Sequence, residues 1–350
     1  MPPLTRIRAA STTAAVLALA LVGPQALAMN QASSPFSAVY VFGDSLSDNG
    51  NLLAATAQAF GTANALPQAD NYWQGRFSNG KVAVEVLADK LGKPLFDFAF
   101  GGATSGLGPV YPVSANTSFA TGLQAQLALH DKLLGGVADP NGLYVVWAGA
   151  NDLRDVLASL KDPGMTLQQL GAQLASTVQT TYANLAGAVG GLYQDGARHF
   201  LLPLLPDLGL TPEGQAAQTL VPPALFSISG FSAAYNLGLR STFAGLSLAG
   251  ASVTVFDTAA AQQDVYANPA SFGISDVQSP CFTGYVGEAG AMCAEGFDTT
   301  RMFWDKVHPS AITHAVLGAQ MAAAVPEPQT LLMMAAGMAA LLGLRQRRAG

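Results

Sequence analysis

Charge is scarce in this chain. Of its 350 residues only 11% are Asp, Glu, Lys or Arg, while 50% are apolar. That balance excludes a disordered chain and supplies apolar surface for a substantial core. Cysteine is scarcer still, with Cys281 and Cys293 alone. Neither a zinc-ligand spacing nor a CxxC redox pair exists, so no metal site is expected. No GxGxxG loop is present to cradle a nucleotide or flavin phosphate, and no cofactor is expected. The GxSxG elbow of ordinary α/β-hydrolases is missing too. Without a Ser/Pro/Gly linker or an internal repeat, one folded domain is the better reading.

The two ends differ from the middle. Arg6 and Arg8 precede the apolar run "AASTTAAVLALALVG" and then "PQALA". Ala26 and Ala28 fit the small-residue cleavage rule, so 1–28 reads as a signal peptide and the mature chain starts near Met29. A buried N-terminal helix is the plainer alternative. Between Met29 and Pro326 stand 11 Lys and Arg against 21 Asp and Glu, a net charge near −10. With no basic patch, nucleic acid is not an expected partner, nor is an anionic bilayer bound by charge. In an exported chain the two cysteines most simply form one disulfide, and closing so short a loop contributes about 2–3 kcal/mol.

At the other end, the apolar stretch from Leu331 to Leu344 is short for a spanning helix, which needs about 17–25 residues. Arg345, Arg347 and Arg348 follow it in the positive-inside sense. A short transmembrane anchor is one reading. The order Val325-Pro326-Glu327-Pro328, small apolar helix, then arginines resembles the PEP-CTERM sorting tail, here 325–350. That resemblance implies an exosortase as processing partner and transient inner-membrane association through the tail. It also implies delivery to the periplasm, surface or matrix of a Gram-negative bacterium.

Within 29–324, apolar strand-like runs alternate with longer helical ones. Strands are expected at Ala38–Gly43, Pro94–Phe100, Gly142–Ala148, His199–Leu205 and Ala251–Phe256. Helices are expected at Asn79–Leu91, Phe119–Leu134, Leu167–Tyr193, Pro223–Leu246 and Pro309–Ala324. Apolar strands separated by helical crossovers predict an α/β fold with a parallel sheet covered on both faces. Thr62–Ser78 and Val265–Thr300 read as long irregular loops, a class that is commonly functional.

Ligands of an open parallel sheet bind outside the carboxyl ends of its strands. Ser45 ends the first strand, Gly101-Gly102-Ala103-Thr104 ends the second, and Gly149-Ala150-Asn151-Asp152 ends the third. Asp305 and His308 come late, in "FWDKVHPS". Ester hydrolysis needs a hydroxyl with a base in reach, and Ser45 with His308 has that chemistry. Asp305 can fix the imidazole tautomer. The Ser45 and Gly102 backbone N–H groups and the Asn151 amide can serve an oxyanion. Glycine at 102 lets the backbone approach closely. Each piece has a bland reading as well. "GDSL" can be a turn, "GGA" a packing turn, and Asn151 or Asp305 a helix cap. His130, His199 and His314 read as structural. Asp48, Asn49 and Asp152 read as local braces. Tyr72, Trp73 and Phe77 either line an acyl pocket or pack a long loop.

The pieces "FGDSLSDNGN", "FAFGGAT", "AGANDL" and "DKVHP", in that order, resemble the four blocks of the GDSL, or SGNH, serine hydrolases. "GRFSNGKVAVEVLA" and "LLPDLGLTP" are similar to the lipase, lecithinase and haemolysin-like branch. The likeness runs from about Ser37 to His314. It implies a three-layer α/β/α sandwich with a five-stranded parallel sheet, a flavodoxin-like architecture. It implies Ser45 as nucleophile, Ser45, Gly102 and Asn151 as oxyanion donors, and His308 and Asp305 as base and orienting acid. Asp97 departs from the pattern, which more often has Asn there. The implied activity is an exported serine esterase or lipase acting on lipid, small-molecule or acetylated polysaccharide esters. A non-catalytic surface or matrix protein on the same fold is the alternative.

Overall fold

Alternate residues of a strand point to opposite faces, and here both sets are apolar. The computed structural model describes residues 34–114 and 117–325. Its strands are β1 (Val39–Gly43), β2 (Leu95–Asp97), β3 (Val110–Ser114), β4 (Thr117–Ala120), β5 (Leu143–Trp147), β6 (His199–Pro203) and β7 (Ser252–Phe256). Its α-helices are α1 (Asn51–Phe60), α2 (Ala83–Leu91), α3 (Leu123–Leu134), α4 (Ala150–Ala158), α5 (Leu167–Asp195), α6 (Pro212–Gln218), α7 (Ile228–Ala244), α8 (Thr258–Ala267) and α9 (Ala311–Ala324).

Five strands form one parallel sheet in the order β2-β1-β5-β6-β7. Leaving out the β3–β4 hairpin, this is the 2-1-3-4-5 order of flavodoxin-like sheets. Tyr40, Phe42, Tyr144, Val146, Phe200 and Leu202 pack with α4, α5 and α7 residues such as Leu153, Leu185 and Leu239. Val39, Val41, Leu143, Val145 and Leu201 pack on the other side with Val84, Leu87, Leu317 and Met321 of α2 and α9. The expected three-layer α/β/α sandwich is the observed fold.

Differences from the expected elements have local causes. Only Leu95–Asp97 of Pro94–Phe100 forms a strand; the Phe98 and Phe100 N–H groups still reach the Val41 and Gly43 carbonyls at 2.8 and 3.3 Å, but the Gly43 N–H turns to Gln126 instead of continuing the ladder. Helix α2 starts at Ala83 rather than Asn79, where the Glu85 carboxylate reaches back to the Val82 N–H at 3.0 Å. Phe119 belongs to the β3–β4 hairpin and stacks on Tyr111 at 5.0 Å. Residues from Val265 complete α8 before the long loop begins. In that loop Cys281 and Cys293 are joined by a disulfide.

The expectation of a transmembrane helix is corrected. Among the described residues no helix is long and apolar enough to cross a membrane. The stretch Leu331–Leu344 lies outside the described residues, as does the leader at 1–28. Its 14 residues also fall short of the hydrocarbon thickness, which takes about 17 or more in a helix.

Helix α9 carries the chain segment just after His308 and lies tightly on α2. A Cβ added at Gly318 would overlap the Ala83 carbonyl oxygen and sit 2.6 Å from Val86 Cβ. Gly318→Val should therefore force the helices apart and cost about 1–3 kcal/mol. A thermal unfolding scan checks this, and an unchanged midpoint would show that the contact gives way freely.

Candidate active site

The turn after β1 is built from its own polar side chains. The Asp44 carbonyl accepts from the Ser47 and Asp48 N–H groups, each at 3.0 Å, and Asp44 Oδ1 accepts from the Leu46 N–H at 3.0 Å. Asp48 then collects the N–H groups of Gly50, Asn51 and Leu52 at the start of α1, and that of Gly101 from the second loop at 2.7 Å. Asn51 Nδ2 donates to the Asp97 and Ala99 carbonyls, both at 2.9 Å. The turn that holds Ser45 and the loop that holds Gly102 are thus one hydrogen-bonded body.

Gln126 of α3 closes the other side. Its buried amide accepts from the Gly43 N–H at 2.9 Å and donates to the Gly43 and Thr121 carbonyls at 2.7 and 2.8 Å. This gives the Gly43 N–H an acceptor on the side away from β5, where β2 has already ended.

The late segment arrives from the far end of the chain. His308 Nε2 lies 2.8 Å from Ser45 Oγ, across 263 residues of sequence. His308 Nδ1 lies 2.7 Å from Asp305 Oδ2. Asp305 is fully buried, and its Oδ1 accepts from the Val307 and His308 N–H groups at 2.9 and 2.8 Å. The His308 ring is held between Phe77, at 5.2 Å, and Tyr285, stacked nearly parallel at 5.7 Å. Hydroxyl, imidazole and carboxylate are thus hydrogen-bonded in series, an arrangement that can pass a proton.

Ser45 and Asn151 line one cleft, and the loop that holds Gly102 is tied to the serine turn through Asp48. Among the described residues neither the Ser45 N–H nor the Gly102 N–H has a partner within the protein. Asn151, in the first turn of α4, spends one amide hydrogen on the Ala103 carbonyl at 2.9 Å. Arg154 donates to Asn151 Oδ1 at 3.3 Å, to the Tyr285 hydroxyl at 3.0 Å, and through Nε to Glu213 at 2.8 Å. That contact fixes which end of the amide is oxygen, so the nitrogen faces the loops. Glycine at 102 also has a backbone reason. A Cβ there would meet only Pro109 at 3.7 Å, but φ is +75°, a conformation that β-carbons disfavour. At Gly101 a Cβ would overlap the Phe77 ring.

Other anticipated residues fall into place with different partners. Asp152 holds the Ser105 N–H and hydroxyl at 2.8 and 2.6 Å, bracing the second loop. Trp73 lies under Arg76 at 5.1 Å. Tyr72 is buried and donates its hydroxyl to Asp305 Oδ2 at 2.7 Å. His130 and His314 are buried in the layers, each with Nε2 unpartnered, and His199 sits on β6 beside Ser252. Asp97 Oδ1 accepts from the Ala99 N–H, while its buried Oδ2 has no partner. Sequence reasoning missed Gln126, Arg154 and Tyr285. Only Arg154 carried a signal, standing one helical turn after Asn151 on α4.

Burial dominates the electrostatics. It pushes the Asp44 and Asp48 carboxyls up to about 6, against partial relief from their backbone donors. Asp97 is raised well above its ordinary value by burial and the nearby Asp48. Burial also lifts Asp305, but the His308 charge and the donors from His308 and Tyr72 outweigh it and hold the carboxyl below its usual range. His314 is driven down to about 3 by burial and by His308.

An apolar cleft opens beside Ser45 and His308, walled by Leu46, Trp147, Leu208, Phe303, Val307 and Leu317. A second apolar recess adjoins it, sharing Arg154, Leu208, Thr211 and Val307. Among the described residues no cluster of His, Cys, Asp and Glu could hold a metal ion.

The raised carboxyls bear on stability. Asp44 and Asp48 bind protons more tightly folded, near 6, than unfolded, near 3.8. Their favourable contribution is full below about pH 4 and is lost as pH rises through 6, up to about 3 kcal/mol each. Asp305 works oppositely, its contribution vanishing only in stronger acid. His314, held near 3, works against them as pH falls below 6.5, so the carboxyl effect is read as a difference between proteins. Asp44→Asn, which keeps the acceptor for Leu46, should lower the melting temperature at pH 5 relative to that at pH 7.5 when compared with the wild type. The same pH 5 to pH 7.5 difference in both proteins would refute it.

Comparisons with known proteins follow this geometry. The model of GDSL-like lipases and acylhydrolases matches residues 39–321, and that of the PEP-CTERM protein-sorting motif matches residues 324–348. The phosphatidylcholine-sterol acyltransferase of Aeromonas hydrophila is 27% identical over 85% of this chain and 93% of its own length. The thermolabile hemolysin of Vibrio parahaemolyticus is 25% identical over 81% of this chain and 62% of its own. Among solved structures, an extracellular lipase from Streptomyces rimosus aligns with a TM-score of 0.38 at 14% identity, covering 83% of this chain and 100% of that one. The sorting motif marks the chain for export in Gram-negative bacteria. Because the family model spans both β1 and α9, and so every loop that meets at Ser45, the chain belongs to the GDSL-like lipase/acylhydrolase family.

Proposed function

We propose that this protein is an exported serine esterase that hydrolyses carboxylic esters through an acyl-enzyme. The observation that carries the reading is the line Ser45 Oγ to His308 Nε2 at 2.8 Å and His308 Nδ1 to Asp305 Oδ2 at 2.7 Å. In this reading Ser45 attacks the ester carbonyl while His308 takes its proton. Asp305 keeps the Nδ1 tautomer and stabilises the imidazolium that forms. The Ser45 and Gly102 N–H groups and the free hydrogen of the Asn151 amide receive the developing oxyanion. His308 returns the proton to the departing alkoxide, and water then repeats the sequence on the acyl-serine.

The substrate is an ester with an apolar acyl group longer than acetyl. The cleft beside Ser45 is walled mainly by carbon, which favours a chain over a sugar face. The names of the Aeromonas and Vibrio relatives, an acyltransferase of phosphatidylcholine and sterol and a hemolysin, support lipid esters. The sorting motif favours action at the cell surface or in the surrounding matrix. It also keeps a second reading in play, deacetylation of an exported polysaccharide.

Ser45→Ala should lower kcat/KM on p-nitrophenyl butyrate by about 10⁴-fold or more and abolish labelling by a fluorophosphonate. Folded wild-type protein that takes no label would indicate a binding module instead. Asn151→Ala should lower kcat about 100- to 1,000-fold with little change in KM. Each buried methylene adds about 0.8 kcal/mol, so the butyrate ester should exceed the acetate by about tenfold in kcat/KM. A preference for acetate would favour the polysaccharide reading.

A further inference from the structure

The long loop between α1 and α2 supplies one more group to the site. Tyr72 is wholly buried, packed with Cys281, Phe282 and Trp304, and meets the Phe282 ring edge-on at 5.9 Å. Its hydroxyl lies 2.7 Å from Asp305 Oδ2, the oxygen that also faces His308 Nδ1. The other oxygen takes the two backbone donors of Val307 and His308. An ionised carboxylate offers about four acceptor sites, so Tyr72 fills the last one on a group with no solvent contact. A phenylalanine would fill the same space without burying a hydroxyl, which is unfavourable unless paired. Among the described residues the one partner of this hydroxyl is Asp305.

We infer that Tyr72 is a positioning residue, the outermost link of a Tyr72–Asp305–His308–Ser45 chain. Its O–H fixes the carboxylate's rotation and draws negative charge away from the oxygen that faces the imidazole, and so sets the proton affinity of His308. The inference rests on the esterase reading of that chain. Burial and the Asp305 charge raise the Tyr72 ionisation far above its ordinary value, so the phenol is a donor across the working range. Other ionisable groups face the same segment. They are Asp44 on the serine turn, Arg154 of α4 with Glu213 of α6, Tyr285 and Glu288 of the disulfide loop, and His314 of α9.

The test is the pH profile of kcat/KM on p-nitrophenyl butyrate. Tyr72→Phe leaves more charge on Oδ2 and favours the imidazolium, so the acid limb should move to higher pH by about half a unit. KM at the plateau should stay unchanged while kcat falls severalfold. Replacing Tyr72 by 3,5-difluorotyrosine, a stronger donor of the same shape, should move the limb the other way. Opposite displacements by the two variants are not available to a residue that merely packs. Should Tyr72→Phe not fold, the fluorinated protein decides alone. Limbs that coincide with the wild type overturn the inference while leaving the esterase reading intact. Wild-type protein that hydrolyses no ester overturns both.

Discussion

A parallel sheet buried on both faces can tolerate polar side chains only where its strands stop. Here β1, β5 and β6 are apolar on both sides along nearly their whole length. Unpaired polar groups inside would each carry a desolvation penalty. The chemistry of this molecule is accordingly confined to the carboxyl rim, where Gly43, Trp147 and Pro203 hand over to loops. The strand order places β1 beside the central strand β5, at the point where the order reverses. Everything at the site follows from that confinement.

Loops at a rim are free to wander unless something holds them, and this site is held by buried side-chain bonds to backbone. Asp48 joins the serine turn to the Gly101 loop, Asn51 joins α1 to the β2 exit, and Gln126 supplies the acceptor for the Gly43 N–H. Arg154 links the Asn151 amide to Tyr285 and to Glu213, so the Asn151 side and the His308 side share one guanidinium. These groups are nearly dehydrated, and the cost is visible in the raised carboxyls of Asp44, Asp48 and Asp97. Asp305 is the exception because the His308 ring, two backbone N–H groups and the Tyr72 hydroxyl all bond its oxygens and outweigh burial. Rigidity and electrostatic strain here have the same origin. Asp97, with Oδ2 buried and unpaired, is where the family's more usual Asn would place a nitrogen instead.

Much of this was legible from residues alone. The alternating apolar strands and the helical runs between them specified the layers, because two-sided burial leaves a continuous apolar signature. Ser45, Gly102, Asn151, Asp305 and His308 could be named because each stands at a strand end or just before the last helix. The residues that escaped notice are those whose role depends on a distant partner. Gln126 reads as one more polar residue on a helix, and Tyr285 as an aromatic in an irregular loop. Tyr72 was singled out as a wall of an acyl pocket or as packing, and its hydroxyl proved to face Asp305. The transmembrane reading of the tail rested on composition without length, and fourteen residues are too few to match a bilayer.

By itself the order of residues determined the sheet, its two apolar faces and the set of polar groups gathered at its rim. It could do so because period and composition are local properties, carried by neighbouring positions. Only the tertiary structure decided that the hydroxyl at 45 and the imidazole at 308 lie 2.8 Å apart, and that Tyr72, Arg154 and Gln126 complete their surroundings. Those distances depend on how α9 seats against α2 and how the loops close over the rim. Both are packing outcomes, set by the shapes of residues far apart in the chain rather than by any pattern among adjacent ones.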